Sequence, residues 1–350
     1  MKKHVLMIVY TDYLFDARVR REAETLASLE EFAVSVLALK QREKPRNFVV
    51  EDVHLYEVNE KKYNGKSKFK YLFSYFKFLL LSFLVCTRQF LQGKVDLVHA
   101  HNMPDFLIFA GIIPRCFKKK LILDIHDSMP ETYSTKFDKL PGFFFKMLCM
   151  EESLSAAIAH KVICVNHVQK KILAARGIPR EKILVSMNVP DPKRFKLNGK
   201  KKFAAGEDSA FKMIYHGTIA KRLGVDLVVK AVALLQDKIP GLEFHIWGKS
   251  GDELEAIDNL SRVLNVENRV HIIKEGVPLE KLPDRLKGMD LGVIGNRNGK
   301  ATELMLPVKM LEYIALGIPV VAPRLRCIEH YFSEKMVTYY EPGVIFKSCV

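Results

Sequence analysis

Short runs of apolar residues recur along this chain, each followed by a stretch with helical spacing, and that rhythm constrains the fold more than any other feature. In the first half the runs are HVLMIVY (4–10), AVSVLAL (33–39), VDLVHAH (95–101), KLILDIH (120–126), KVICVN (161–166) and KILVSMNV (182–189). Runs that do not alternate with polar residues suit strands covered on both faces, which means parallel sheets flanked by helices. A polar, lysine-rich segment, PDPKRFKLNGKKKFAAGEDSAF (190–211), breaks the pattern. It restarts with KMIYHG (212–217), LEFHIWG (242–248), RVHIIK (269–274), DLGVIGN (290–296), IPVVAP (318–323) and MVTYYE (336–341). The chain therefore reads as α/β, with two doubly wound, Rossmann-like domains at 1–189 and 212–350 and a linker at 190–211. Ligands of such sheets bind outside the carboxyl ends of the strands, and two facing domains enclose a cleft there.

Polar residues do collect at those ends. His99, His101 and Asn102 close one strand, Asp124, His126 and Asp127 the next, and His216, Gly217 and Thr218 the first strand of the second domain. In a core, each polar group would need a buried partner. The H-x-H pair puts two imidazoles on one strand face and admits three readings: metal ligation, a structural pair, or contact with a ligand. No H-E-x-x-H motif accompanies it. After the first strand, TDYLFDARVRREAE holds no glycine, which excludes a G-x-G-x-x-G dinucleotide turn there. GKS at Gly248 to Ser250 lacks the opening glycine of a P-loop, since Glu243 stands five before it, and reads as a turn. Lys221 and Arg222 precede the helical LGVDLVVKAVALL, where they can hold a diphosphate against the helix N-terminus. In TELMLPVKMLEYIALGIPVV (302–321), Pro307 suits a first helical turn, Gly317 stops the helix, and Lys309 and Glu312 share one face.

A length of 350 residues leaves room for an enzyme. The net charge of +15 fits phosphorylated ligands, an anionic membrane or nucleic acid equally well, and nothing beyond the charge favours nucleic acid. The six cysteines are scattered through apolar runs without a C-x-x-C pair and read as buried thiols of a reducing compartment. The longest apolar tract, FKYLFSYFKFLLLSFLVCTRQFL (69–91), is interrupted by Lys70, Lys77 and Arg88, so its uncharged run falls short of the ~20 residues of a spanning helix. It reads either as a mostly buried helix or as a basic, aromatic helix lying on an anionic membrane.

Taken together, DARVRREAETLA, DLVHAHNMPD, LILDIHDSMPE, VSMNVPDP, YHGTIAKRLGVDL and LPVKMLEYIALGIPVVA make almost the whole chain resemble the family 4 glycosyltransferases. The resemblance implies the two-domain architecture called GT-B and transfer of a sugar from a nucleotide-sugar donor with retention of configuration. No metal or other cofactor is implied. Carried over position by position, His101 would contact the donor sugar near the reacting carbon. Arg222 and Lys309 would hold the diphosphate and stabilise the leaving group, with Gly217, Thr218 and Lys221 beside them and Glu312 on the ribose. Asp124, His126 and Glu131 would line the acceptor side. The implied setting is polysaccharide or cell-envelope assembly by a cytoplasmic protein, peripheral at the inner membrane face and acting on a glycan or lipid-linked acceptor.

Three departures stand out. The family's paired glutamates lie eight apart, but Glu312 counts back to Leu304, leaving Glu303 one residue early. Thr218 stands where an arginine is common. After VTYYEPG the chain closes with VIFKSCV where relatives continue, which implies a truncated end. Two other readings stay open: an inactive sugar-nucleotide-binding remnant, and a nucleotide-sugar epimerase on the same architecture.

Overall fold

The computed structural model describes residues 2–40, 47–63, 68–136, 141–196, 210–248, 252–274, 277 and 280–342. The lysine-rich stretch 197–209, the GKS turn beyond Gly248 and the closing VIFKSCV lie outside the described residues. The chain divides into two units, Met1–Met187 and Asn188–Val350. Phe195, within the segment read as linker, is buried in a core of the second unit.

Among the described residues the first unit holds eight strands: β1 Lys3–Val9, β2 Phe32–Leu39, β3 Asn47–Val50, β4 Val53–Val58, β5 Leu97–His101, β6 Lys120–Ile125, β7 Lys161–Cys164 and β8 Ile183–Val185. Its helices are α1 Ala17–Ala27, α2 Lys68–Leu91, α3 Ile112–Cys116, α4 Met129–Lys136, α5 Gly142–Ile158 and α6 His167–Ala175. The sheet order is β3-β4-β2-β1-β5-β6-β7-β8, and only the β3–β4 pair is antiparallel. Successive residues of a strand face opposite ways. Val5, Met7 and Val9 accordingly pack with Val19 and Ala23 of α1, while Leu6 and Ile8 join Tyr75 and Phe78 of α2 and Ala156 of α5 on the other face. Asp16 starts α1 by accepting from the backbone N–H groups of Arg18 and Val19 at 3.2 and 3.1 Å.

The second unit holds β9 Phe211–His216, β10 Leu242–Trp247, β11 Val270–Ile273, β12 Leu291–Val293, β13 Val320–Pro323 and β14 Thr338–Tyr340. Helices α7 Val225–Leu235, α8 Asp252–Val263, α9 Leu282–Leu286, α10 Val308–Ala315 and α11 Arg326–Tyr331 alternate with them. The order is β11-β10-β9-β12-β13-β14, parallel throughout. In each sheet the chain winds one way from a central strand and then the other, so a switch point opens between β1 and β5 and another between β9 and β12.

The sequence reading needs three corrections. It missed the β3–β4 hairpin, whose turn puts Glu51 and Asp52 at φ of 47° and 60° in place of the usual asparagine and glycine. The run 182–189 forms only a three-residue strand. Cys116, at the end of α3, is exposed, whereas Cys86, Cys164 and Cys327 are buried as expected.

Candidate active site

In the second unit, β9 brings His216 and Gly217 to the switch point. Gly217 has φ of 103°, a conformation that favours glycine, and it lies beside Lys309, whose ammonium would be in ordinary contact, 3.5 Å, with a Cβ there. Lys309, from α10, sets its Nζ 3.7 Å from the centroid of the Tyr215 ring. Among the described residues none accepts a hydrogen bond from this ammonium or forms an ion pair with it. Burial pushes its pKa down to about 7, against the pull of Glu312 and aided by Arg222.

One turn along α10, Glu312 is held in place. The His216 Nε2–H donates to its Oε2 at 2.7 Å, and the Tyr313 hydroxyl donates to His216 Nδ1 at 2.9 Å. Burial keeps His216 below its ordinary pKa despite the carboxylate, which suits the neutral imidazole this pattern requires. Leading into α7, Gly224 adopts φ of 61°, and a Cβ on it would come within 2.0 Å of the Gly295 carbonyl oxygen. The two backbones press together and set the turn Lys221–Leu223 beside the end of β12. Arg297 locks that turn, donating to the Lys221 carbonyl at 2.6 Å and to both Asp226 oxygens at 2.8 and 2.6 Å. No side chain of the Gly224 N-cap caps α7; in its first turn the Leu227 N–H donates to the Gly224 carbonyl at 3.0 Å, and Asp226 places its carboxylate there, held by Arg297. Lys221 and Arg222 are exposed there. Two further donors near these strand ends, Trp247 Nε1 and Asn296 Nδ2, are buried without a hydrogen-bond partner.

The first unit's switch point is dominated by ion pairing. Arg18 forks onto Asp124, with Nε 3.1 Å from Oδ2 and a terminal nitrogen 2.9 Å from each oxygen, and it also meets Glu22 at 3.2 Å. His126 Nε2 lies 3.2 Å from Asp124 Oδ2 and 3.1 Å from His101 Nδ1. Burial would raise the Asp124 carboxyl, but His126, His101 and Arg18 hold it well below the usual range. Burial would lower His126, yet Asp124 holds it above its ordinary value. Burial pushes Glu22 up to about 7, helped by Asp124. Among the described residues, three buried atoms here make no hydrogen bond, Glu22 Oε2, His99 Nε2 and His101 Nε2, although the first two lie 3.9 Å apart.

Two groups could in principle take a metal ion: Glu22, His99, His101 and Asp124, and on the second sheet Glu243, His245 and His271. In the first, Arg18 and His126 already engage Asp124, and His126 meets His101 Nδ1.

Of the residues singled out from the sequence, the structure gathers Lys309, Glu312 and Gly217 closely and places Thr218, Lys221 and Arg222 along the same strand ends. It also gathers His101, Asp124 and His126. Glu131 stands outside that second group: it is paired with Arg176, which also holds Glu152 at 2.9 Å. Glu303 is occupied elsewhere, its Oε2 accepting from the Arg326 backbone N–H at the start of α11 at 2.7 Å. Sequence reasoning assigned no role to Arg18, Glu22, Tyr215, Tyr313 or Asn296.

These two doubly wound units define the class: the chain has the GT-B fold. It superposes on sucrose-phosphate synthase from Thermosynechococcus elongatus with a TM-score of 0.75 at 16% identity, covering 98% of this chain and 86% of that one. Anabaena HepE, in complex with UDP and glucose, gives 0.68 at 15% identity over 97% and 86%. WaaG, a glycosyltransferase involved in lipopolysaccharide biosynthesis, gives 0.64 at 16% over 97% and 86%. No curated protein matches by sequence. Residues 17–194, more than half of the chain, match the family described as Glycosyltransferase Family 4, and 210–344 match Glycosyl transferases group 1. The chain belongs to glycosyltransferase family 4 and is a sugar-transferring enzyme.

Proposed function

We propose that the protein transfers a sugar, with retention of configuration, from a nucleotide-sugar to a membrane-associated glycan or glycolipid in polysaccharide or cell-envelope assembly. The observation that carries this reading is Lys309, an ammonium held over an aromatic ring beside Gly217, with no carboxylate paired to it among the described residues. A diphosphate supplies the missing negative charge. As the bond from the sugar carbon to phosphate oxygen breaks and the bond to the acceptor oxygen forms, charge builds on the departing diphosphate. Lys309, Arg222 and Lys221 offset it, a duty that divalent metals perform elsewhere. Gly217 and Thr218 border the same anion. Glu312, one oxygen held by His216, turns the other toward the ribose hydroxyls, which donate to it. His101 contacts the donor sugar, while Asp124, His126 and Glu131 serve the acceptor side, at the cytoplasmic face of the membrane. Relatives of the same fold bound to UDP and glucose, or working in lipopolysaccharide biosynthesis, support this choice of donor and setting.

A panel of nucleotide-sugars, read by release of nucleoside diphosphate, tests it. Wild-type protein should turn over at least one donor, and Lys309→Ala should cut that rate about a hundredfold. Full activity in both Lys309→Ala and Arg222→Ala would sink the site assignment. Thermal stabilisation by nucleotide with no turnover of any donor would point to a binding remnant.

A further inference from the structure

Helices α2 and α5 are built with their polarity reversed. The side of α2 that packs on the sheet carries Ser74, Ser82 and Gln89 among its buried residues, beside Tyr75, Phe78 and Cys86. Its outward side carries Phe69, Leu72, Phe73, Phe76, Leu80 and Leu84, with Phe69 87% exposed and Phe73 71%. In α5 the buried positions include Glu152 and Ser155, and the exposed ones include Phe143, Phe144, Met147, Met150 and Leu154. A helix at a water interface turns its apolar stripe inward. These two do the opposite for much of their length.

Both helices lie in one layer. They bury residues in the same core, on the sheet face opposite α1, and both pack on the short 3-10 helix Asp105–Gly111 between them. Phe76 of α2 sits with its ring centroid 6.4 Å from that of Phe106 in this connector. The two apolar stripes therefore form adjoining parts of one surface, far beyond the scattered apolar residues of an ordinary exterior. The exposed charges on the two helices are all positive: Lys70, Lys77, Arg88 and Lys146. Their two carboxylates, Glu151 and Glu152, turn into the protein, Glu152 toward Arg176 at 2.9 Å and Glu151 toward the Ser155 hydroxyl at 3.1 Å.

We propose that α2 and α5 together seat the first unit on an anionic lipid surface, lying flat with their aromatic and aliphatic side chains in the interfacial layer. Apolar side chains flanked by the cations of the two helices, of which Lys77 also pairs with Glu60, match lipid tails beneath anionic headgroups. Contrary to the sequence expectation, α2 is long and apolar enough to cross a bilayer, but Tyr75, Phe78 and Cys86 pack its other side into the core, which favours a helix that lies on the surface. This rests on the reading above only in that a lipid-linked acceptor gives the surface a purpose.

Sedimentation of the full chain with vesicles tests it. Wild-type protein should pellet with phosphatidylcholine vesicles containing roughly one-third phosphatidylglycerol, and much less with phosphatidylcholine alone. The double variant Phe73→Ser and Phe143→Ser should bind about tenfold more weakly at an unchanged melting temperature, because both rings are already in solvent. Wild-type protein that stays in solution with both vesicle types overturns the proposal, as does a double variant that pellets like wild type. A lipid-free dimer that the same substitutions dissolve, with no vesicle binding, would assign the surface to a second copy instead. Vesicle binding requires no turnover, so protein that pellets yet releases no nucleoside diphosphate supports this inference while failing the proposed reaction.

Discussion

The two switch points handle charge in opposite ways. In the first unit Arg18, Asp124, Glu22 and His126 answer one another, and the guanidinium and carboxylate at the centre are almost wholly out of water. In the second unit the partly buried Lys309 has no ion pair among the described residues, and the nearby carboxylate of Glu312 is taken up by a histidine. A paired network is a rigid wall, whereas an ammonium without a carboxylate partner is suited to binding an anion. On the proposed function, the first unit orients the substrates and the second recognises charge.

The largest effect should come from breaking the wall. Asp124→Ala removes the carboxylate that Arg18 forks onto and leaves the buried guanidinium to Glu22 and the Ser186 carbonyl, and urea unfolding should show a loss of about 3 kcal/mol. Lys309→Ala should do the reverse, keeping or raising stability while the rate falls about a hundredfold, because it removes a desolvated charge whose use is in binding. If the lysine variant unfolds early while the aspartate variant does not, the contrast between the units is wrong.

A pH series sharpens the same contrast. Lys309 titrates at about 7, below the free-lysine value of about 10.4, so the unfolded chain holds more protons between those values. Its contribution to stability therefore rises as pH climbs from 7 toward 10. A bound diphosphate draws the proton back, so nucleoside diphosphate affinity should fall with rising pH over that window, by up to about tenfold per unit, as calorimetry can follow. Lys309→Met should flatten the slope. The smallest effect belongs to Glu303→Gln, which keeps the contact to the α11 N-terminus and loses only charge; about 0.5 kcal/mol of stability and no change in rate are expected. A large rate loss there would return Glu303 to the catalytic machinery.

The fold was legible because strands buried on both faces read as continuous apolar runs, and those runs fall where the parallel strands lie. The β3–β4 hairpin escaped because its turn is Glu51-Asp52, which carries none of the usual glycine or asparagine signal. At the candidate site, strand-end polarity singled out His101, Asp124 and His216, which the structure places at or near the ends of β5, β6 and β9. It could not show partners. Arg18 and Asp124 are 106 residues apart, and His216 and Tyr313 are 97 apart. Such pairings arise only when the sheet orders its strands. The reversed polarity of α5 was overlooked for a related reason: a stripe of apolar residues looks the same whether it faces a core or the outside.

The strands at the sheet margins have a consequence for self-association. β3 and β8 border the first sheet and β11 and β14 the second, and each is only three or four residues long. Strands that short offer few open backbone groups for another chain to zip onto. Clumping of folded protein at high concentration should therefore run through side chains of α2 and α5, and a mild detergent, which leaves backbone ladders intact, should disperse it.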